Sequence, residues 1–381
     1  MYKSFFLFAA FLLLLTTSCR DPYLPDVVAK APNYLVIEAV LNAGQGATNV
    51  RVTRTTQVDR TSAITGEANA MVTVEGKDNS SVSLSYQGNG QYVHPNLNLV
   101  IDNEYRLRVK TSDGKEYLSA YVVAKTTPPI NSVTWKRSGT GGVEIMVNSH
   151  DNANKTKYYR WEYDETWEIH TYYFSKYLYV NQNRRVRDRV MPAEDVSTCW
   201  RSRSSTNILV GSTTRLQSDV VSQMPVTGFS NGDDRLSVRY SILVRQYALD
   251  KAAYEFYDLL RKNTESIGTI FDAQPSEIRG NITCVTDPAE PVIGYVTASS
   301  LEEKRIFINS SQVPDWRFPQ ICEVQKVVPD SVFYYFEILG YAPYEAELNP
   351  ITQAPVLYFG AQADCVDCTK RNGTTIRPSF W

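Results

Sequence analysis

Between Asn33 and Lys125 the chain alternates apolar and polar residues in short runs, each closed by turn residues. Tyr34 to Leu41 is rich in apolar and β-branched residues and gives way to Asn42-Ala43-Gly44-Gln45-Gly46. Asn49 to Arg54 alternates as a strand with one wet face should. Met71–Glu75 and Ser81–Tyr86 repeat the pattern around Gly76-Lys77-Asp78-Asn79, a hairpin signal. Gly90 to Val93 is a short strand, and Glu104 to Lys110 puts Tyr105, Leu107 and Val109 on one face. Asp113-Gly114 then turns the chain into Glu116–Val123. Short strands with turns about every ten residues predict an immunoglobulin-like β-sandwich over residues 33–125. Tyr105 follows Asp102-Asn103-Glu104, the setting of a tyrosine corner, and is expected to be a core ring with its hydroxyl bonded to nearby backbone.

Thr126-Thr127-Pro128-Pro129 marks a boundary, because consecutive prolines do not sit inside a central strand. The larger unit beyond it, 126–381, stays mainly β. Val143–Val147, Tyr158–Tyr163, Leu236–Val244, Ile293–Ala298, Arg305–Ile308, Ser331–Leu339 and Val356–Phe359 read as strands. One helix interrupts them near 250–263: Asp250 can cap it, and Ala252, Phe256, Leu259 and Leu260 fall on one helical face.

The first residues follow another pattern. Lys3 precedes the unbroken apolar run Phe5–Leu15, too short for a bilayer span of about 20 residues and suited to the core of a signal peptide. Thr16-Thr17-Ser18-Cys19 places small residues before a cysteine, as a lipobox does. Residues 1–18 are therefore expected to be a lipoprotein signal, Cys19 the lipidated residue, and 19–32, polar and proline-containing, a tether. Asp21 resembles an export signal for the outer face of the outer membrane.

Charge narrows the field. With 39 Lys and Arg against 41 Asp and Glu, the chain has none of the basic excess that phosphate binding needs, so no nucleic-acid partner is expected. Besides Cys19 there are Cys199, Cys284, Cys322, Cys365 and Cys368, an odd set in an oxidising compartment. Cys365-Val366-Asp367-Cys368 has the spacing of redox and zinc motifs, but turn residues follow where a redox site would want a helix. A disulfide from Cys365 or Cys368 back to Cys322 or Cys284 is expected, though spacing does not tell which cysteines pair.

Two features could bind a partner. Tyr172, Tyr173, Tyr177 and Tyr179 crowd one segment, followed by Arg184, Arg185 and Arg187. The set reads either as a hairpin with half-buried rings or as a protein or glycan contact. The acidic groups Glu162, Asp164 and Glu165, and Asp233 with Asp234, could serve a glycosidase if a cleft brought them face to face. No hydrolase, metalloprotease or nucleotide-binding motif occurs, so no catalytic residue, cofactor or metal is expected.

The lipobox, Tyr34-Leu35-Val36-Ile37-Glu38-Ala39, Asp113-Gly114-Lys115-Glu116-Tyr117, Ala253-Tyr254-Glu255-Phe256-Tyr257, Phe271-Asp272-Ala273-Gln274-Pro275-Ser276, Gly280-Asn281-Ile282 and the C-terminal Pro378-Ser379-Phe380-Trp381 resemble an uncharacterised outer-membrane lipoprotein family of Bacteroidota. That family is often encoded beside TonB-dependent receptors and has no established catalytic residues. The resemblance implies a non-enzymatic surface lipoprotein, held in the outer membrane facing the exterior. Its expected role is accessory subunit of an outer-membrane β-barrel protein; binding of a glycan or peptide, or a part in envelope assembly, are the alternatives.

Overall fold

The computed structural model describes residues 33–56, 65–265 and 279–381. The signal segment 1–18, Cys19 with the tether 19–32, and the Phe271–Ser276 motif lie outside the described residues.

The N-terminal alternation folds into a β-sandwich. One sheet runs, in spatial order, Val292–Ser299, Leu35–Asn42, Thr48–Arg54, Gln91–His94 and Ser85–Gly88. The other runs Ile282–Cys284, Glu116–Ser119, Glu104–Lys110, Met71–Gly76 and Ser81–Ser83. Leu35, Ile37, Ala39 and Leu41 face inward and meet Val50, Leu107, Tyr117 and Val296 in one core. Tyr105 is buried there, and its hydroxyl accepts the Val100 N–H at 2.8 Å, the expected corner.

Residues 33–125 do not complete this sandwich, so the boundary at 126 is corrected. Val292–Ser299 returns to lie parallel to Leu35–Asn42, with Leu35 opposite Val292 and Asn42 opposite Ser299. Ile282–Cys284 extends the other sheet beside Glu116–Ser119. Without the return, the apolar strand Leu35–Asn42 would be an open edge with a row of unpaired backbone groups. The Gly280-Asn281-Ile282 motif guides it: the Asn281 side chain donates to the Val296 carbonyl at 2.9 Å and accepts the Val296 N–H at 2.8 Å. A Cβ at Gly280 would strike the Gly294 backbone.

A second sandwich follows. Ile130–Arg137, Val143–His150 and Val220–Phe229 form one sheet; Thr198–Ser204, Tyr158–His170, Arg239–Leu249 and Leu301–Asn309 form the other, with Leu209–Ser212 also pairing with Tyr158–His170. Ile145, Trp161, Tyr240, Ile242 and Val244 lie in its core. Two buried polar side chains there are fully engaged. Glu165, fully buried, accepts from Arg203 at 2.6 Å, Arg235 at 3.1 Å and the Tyr240 hydroxyl at 2.7 Å. Gln246 accepts from Trp161 Nε1 at 2.8 Å and donates to the Pro128 carbonyl at 2.8 Å, tying the boundary segment to this core.

The helix spans Lys251–Glu265, and the Asp250 carboxylate caps it by accepting the Ala253 N–H at 2.7 Å. Its buried face carries Ala253 and Phe256, while Ala252 is exposed. The face is turned from the expected one because Phe256 packs against Tyr295 of the returning strand, with ring centroids 4.9 Å apart.

The C-terminal unit is a small sheet in which Pro355–Gln362 lies between Val324–Val327 and Tyr341–Leu348. The strand expected at Ser331–Leu339 is instead a turn at Pro329–Ser331 followed by a helical turn at Phe333–Ile338. Pro329 opens it at a position where no N–H is needed, and Gly340, at φ +73°, follows it in the left-handed conformation. Phe336 is the buried member of this aromatic run, a helical spacing that its β propensity hides. The disulfide Cys322–Cys365 closes the unit, and Cys199–Cys368 fastens it to the second sandwich; Cys284 is a buried free thiol.

Candidate functional site

The outer faces of the two sandwiches and the helix enclose a cleft of about 840 Å³, within the range of roughly 300–1,000 Å³ usual for ligand sites. Strand alternation supplies its walls. In Leu35–Asn42 the inward residues build the core, so Val36, Glu38 and Val40 face the cleft. Glu38 stands opposite Arg51, and Arg51 opposite Gln91, making a polar row across adjacent strands. The facing wall comes from the second sandwich: Arg160 stands opposite Tyr247, and Glu162 opposite Arg245. Helix residues Phe256, Tyr257 and Leu260 form the third wall.

Arg160 is the centre of this arrangement. It is ion-paired with Glu162 and donates to the Tyr257 hydroxyl at 3.0 Å. Its guanidinium lies 4.6 Å from the Tyr257 ring centroid and 5.5 Å from that of Tyr247. Burial works against its charge, but Tyr257 and Glu162 outweigh that and raise its pKa above the ordinary arginine value. Burial, reinforced by Glu162, holds the Tyr247 hydroxyl protonated well above the ordinary tyrosine range, and burial pushes Tyr295 up to about 12. Arg245 is paired in turn with Asp164 at 2.5 Å and Glu303 at 2.9 Å.

Glu162 and Asp164 share this outer face, whereas Glu165 points into the core, so the three do not form one acidic site. Asp233 pairs with Arg235 at 2.8 Å and caps the short turn Asp234–Leu236; Asp234 pairs with Arg201 at 2.8 Å. Among the described residues no group of three or more His, Cys, Asp or Glu is placed to hold a metal ion.

The tyrosine and arginine segment is largely spent on the chain itself. Tyr173 stacks on Tyr344 at 4.3 Å between centroids, Tyr177 meets Tyr358 edge-on at 5.9 Å, and Tyr179 packs against Phe336 at 5.8 Å. Tyr179 also donates its hydroxyl to Glu337 at 2.8 Å. Arg184 lies 4.2 Å over the Phe333 ring, and Arg187 pairs with Glu194 at 2.6 Å. Tyr177–Val180 and Arg185–Asp188 form a hairpin that covers the C-terminal unit. Tyr172 and Arg185 remain exposed. The last residues are also docked: Trp381 donates to Glu168 at 2.9 Å, and Arg305 lies 3.6 Å from the Phe380 ring centroid.

Arg160 and Tyr247 were not singled out from the sequence, and Glu38 and Tyr257 stood there only within the motifs that carry the family resemblance, with no binding role. The outward register of the strands and helix that carry them shows which residues face away from a core but not that two such faces meet.

These features define a mainly β protein of two sandwiches, joined by strands that return to the first, with a cleft between them and a disulfide-fastened C-terminal sheet. The chain belongs to the family described as a domain of unknown function, DUF4249, whose model matches residues 20–305. The C-terminal sheet falls beyond the matched residues. No curated protein matches the chain. Among solved structures, the chicken interferon gamma receptor alpha chain aligns at 13% identity over 57% of this chain and 91% of its own, with a TM-score of 0.16, a likeness that carries no argument.

Proposed function

We propose that this protein is a non-enzymatic lipoprotein, anchored through Cys19 in the outer membrane of a Bacteroidota bacterium and facing the exterior, where it acts as accessory subunit of a TonB-dependent β-barrel receptor. The observation that carries the reading is the apolar surface of the C-terminal unit. Ile321 is 81% exposed and Ile351 89%, with Tyr334, Ile338 and Leu339 also open to solvent. Large exposed apolar side chains gathered on one small unit are what a protein-docking surface requires. Two disulfides hold that unit in a set shape, which lowers the ordering cost of association. A lipid anchor confines the chain to the membrane that holds such barrels, so the occupant of this surface is a barrel protein. The non-enzymatic part is supported by the carboxylates considered for hydrolysis, each of which is engaged by arginine.

The test is purification from native membranes in mild detergent. The wild-type chain should bring down a β-barrel protein in near-equal amount, and Ile338→Asp with Ile351→Asp should lose it while leaving the melting temperature unchanged. Cys19→Ser should move the chain to the soluble fraction. A wild-type chain that emerges alone would overturn the reading.

A further inference from the structure

The cleft between the sandwiches is built for a ligand that the docking surface does not explain, and we propose that it binds a neutral saccharide. The two arginines of its second-sandwich wall are already matched. Arg160 is held by Glu162, Arg245 by Asp164 and Glu303, and Glu38 stands opposite Arg51. A phosphate or carboxylate ligand bound at Arg160 or Arg245 would have to displace one of these partners, at the cost of leaving a carboxylate without its counter-ion. The remaining polar groups are uncharged. Asn49 and Gln91 are exposed at the rim, on the same sheet face as Glu38. Ser299 lines the cleft, is 1% exposed, and its hydroxyl has no hydrogen-bond partner among the described residues. A buried hydroxyl left in this way asks for a donor or acceptor from a ligand. Sugar hydroxyls act as both.

The apolar part of the lining has the complementary chemistry. Phe256, Tyr257 and Tyr295 form a ring cluster, with Phe256 and Tyr257 5.3 Å and Tyr257 and Tyr295 6.4 Å apart between centroids. Tyr257 and Tyr295 are half-buried, offering flat ring surface to the C–H face of a pyranose. A peptide is the poorer fit. Peptides add to sheets at open edges, and the end strand that walls the cleft, Val292–Ser299, already has its outer edge engaged by Asn281 at Val296 and by Lys125 at Ala298, while the inner strands are paired on both sides. Leu35–Asn42 lies between Thr48–Arg54 and Val292–Ser299, and Arg239–Leu249 between Tyr158–His170 and Leu301–Asn309.

The experiment measures binding of the full lipidated chain, in detergent, to a fixed panel of glucan, xylan, mannan and chitin oligosaccharides beside acidic oligosaccharides and a peptide library. At least one neutral saccharide class should bind. Asn49→Ala with Gln91→Ala, exposed positions whose loss leaves the melting temperature unchanged, should weaken that binding about tenfold. Tyr257→Ala should abolish it. The rim variants keep the test sound if Tyr257→Ala fails to fold. A panel silent for neutral saccharides, preference for acidic saccharides or peptides, or affinity indifferent to the rim variants each overturns the proposal. Co-purification of a barrel protein is scored separately, so failure of either reading is seen by itself.

Discussion

The Cys199–Cys368 bridge makes a quantitative test of how the C-terminal unit is attached. It spans 169 residues, whereas Cys322–Cys365 spans 43. Loop-closure entropy, which grows with the logarithm of loop length, assigns about 5 kcal/mol to the longer loop and about 4 kcal/mol to the shorter. Because the shorter loop is nested inside the longer, it trims the outer bridge by a few tenths of a kcal/mol, too little to reverse the order. These are upper values, since an unfolded chain is more compact than the ideal coil. Cys199→Ser with Cys368→Ser should therefore lower stability more than Cys322→Ser with Cys365→Ser, as read by urea unfolding under non-reducing conditions. The two removals should also differ in kind. Without the outer bridge, the unit's ties to the second sandwich include Trp200 N–H to the Thr374 carbonyl at 2.8 Å, its 2.9 Å reciprocal and the Trp381–Glu168 bond. Limited proteolysis should then release the C-terminal unit before either sandwich is cut. If the outer double variant unfolds at the wild-type urea concentration and resists proteolysis equally, the bridge is not what fastens the unit and the reasoning fails.

Three further outcomes follow from the packing. Glu165→Ala leaves Arg235 with one carboxylate partner fewer inside the second sandwich and should cost about 3–5 kcal/mol, measured by thermal or urea unfolding; a loss below about 1 kcal/mol would show that the buried cluster is not an ion pair of consequence. Hydrogen bonding from Arg187, with the Val190 N–H, holds the Glu194 carboxyl at about 2 instead of the ordinary 4.5. The depressed value means that the pair contributes above pH 4.5 and is lost as pH falls through about 2. A carboxyl titration by NMR should give that midpoint, and Arg187→Ala should bring it back toward 4.5; a titration already near 4.5 in the wild type contradicts the pairing. Gly294 has φ +127°, and a Cβ there would run into the Ile37 carbonyl across the parallel pairing. Gly294→Ala should expose the edge of Leu35–Asn42, seen as faster hydrogen exchange at alternate amides of that strand, while the same change at Gly139, where a Cβ meets open space, should leave that exchange as it was.

What could be read from the chain and what could not divide along one physical line. Alternation and turn chemistry are local, so the strands from Leu35 to Val123, the Tyr105 corner and the capped helix at Lys251 were all legible. The return of Val292–Ser299 to the first sandwich was not, because a β-branched run has the same pattern whichever sheet it joins. Even so, Asn281 carried a trace of it, since an amide that binds both polar groups of Val296 has little use except to set a register. The tyrosine segment shows the same limit from the other side. Aromatic density marks a surface that will be covered, and nothing in Tyr173 or Tyr177 distinguishes a partner from the chain's own Tyr344 and Tyr358, more than 150 residues later. That resolution moves the search for a partner. With Tyr173, Tyr177 and Tyr179 packed against the chain itself, the two most exposed of the large apolar side chains, Ile351 and Ile321, lie on the C-terminal unit, together with Ile338. The binding question therefore passes from the tyrosines to the unit they hold in place.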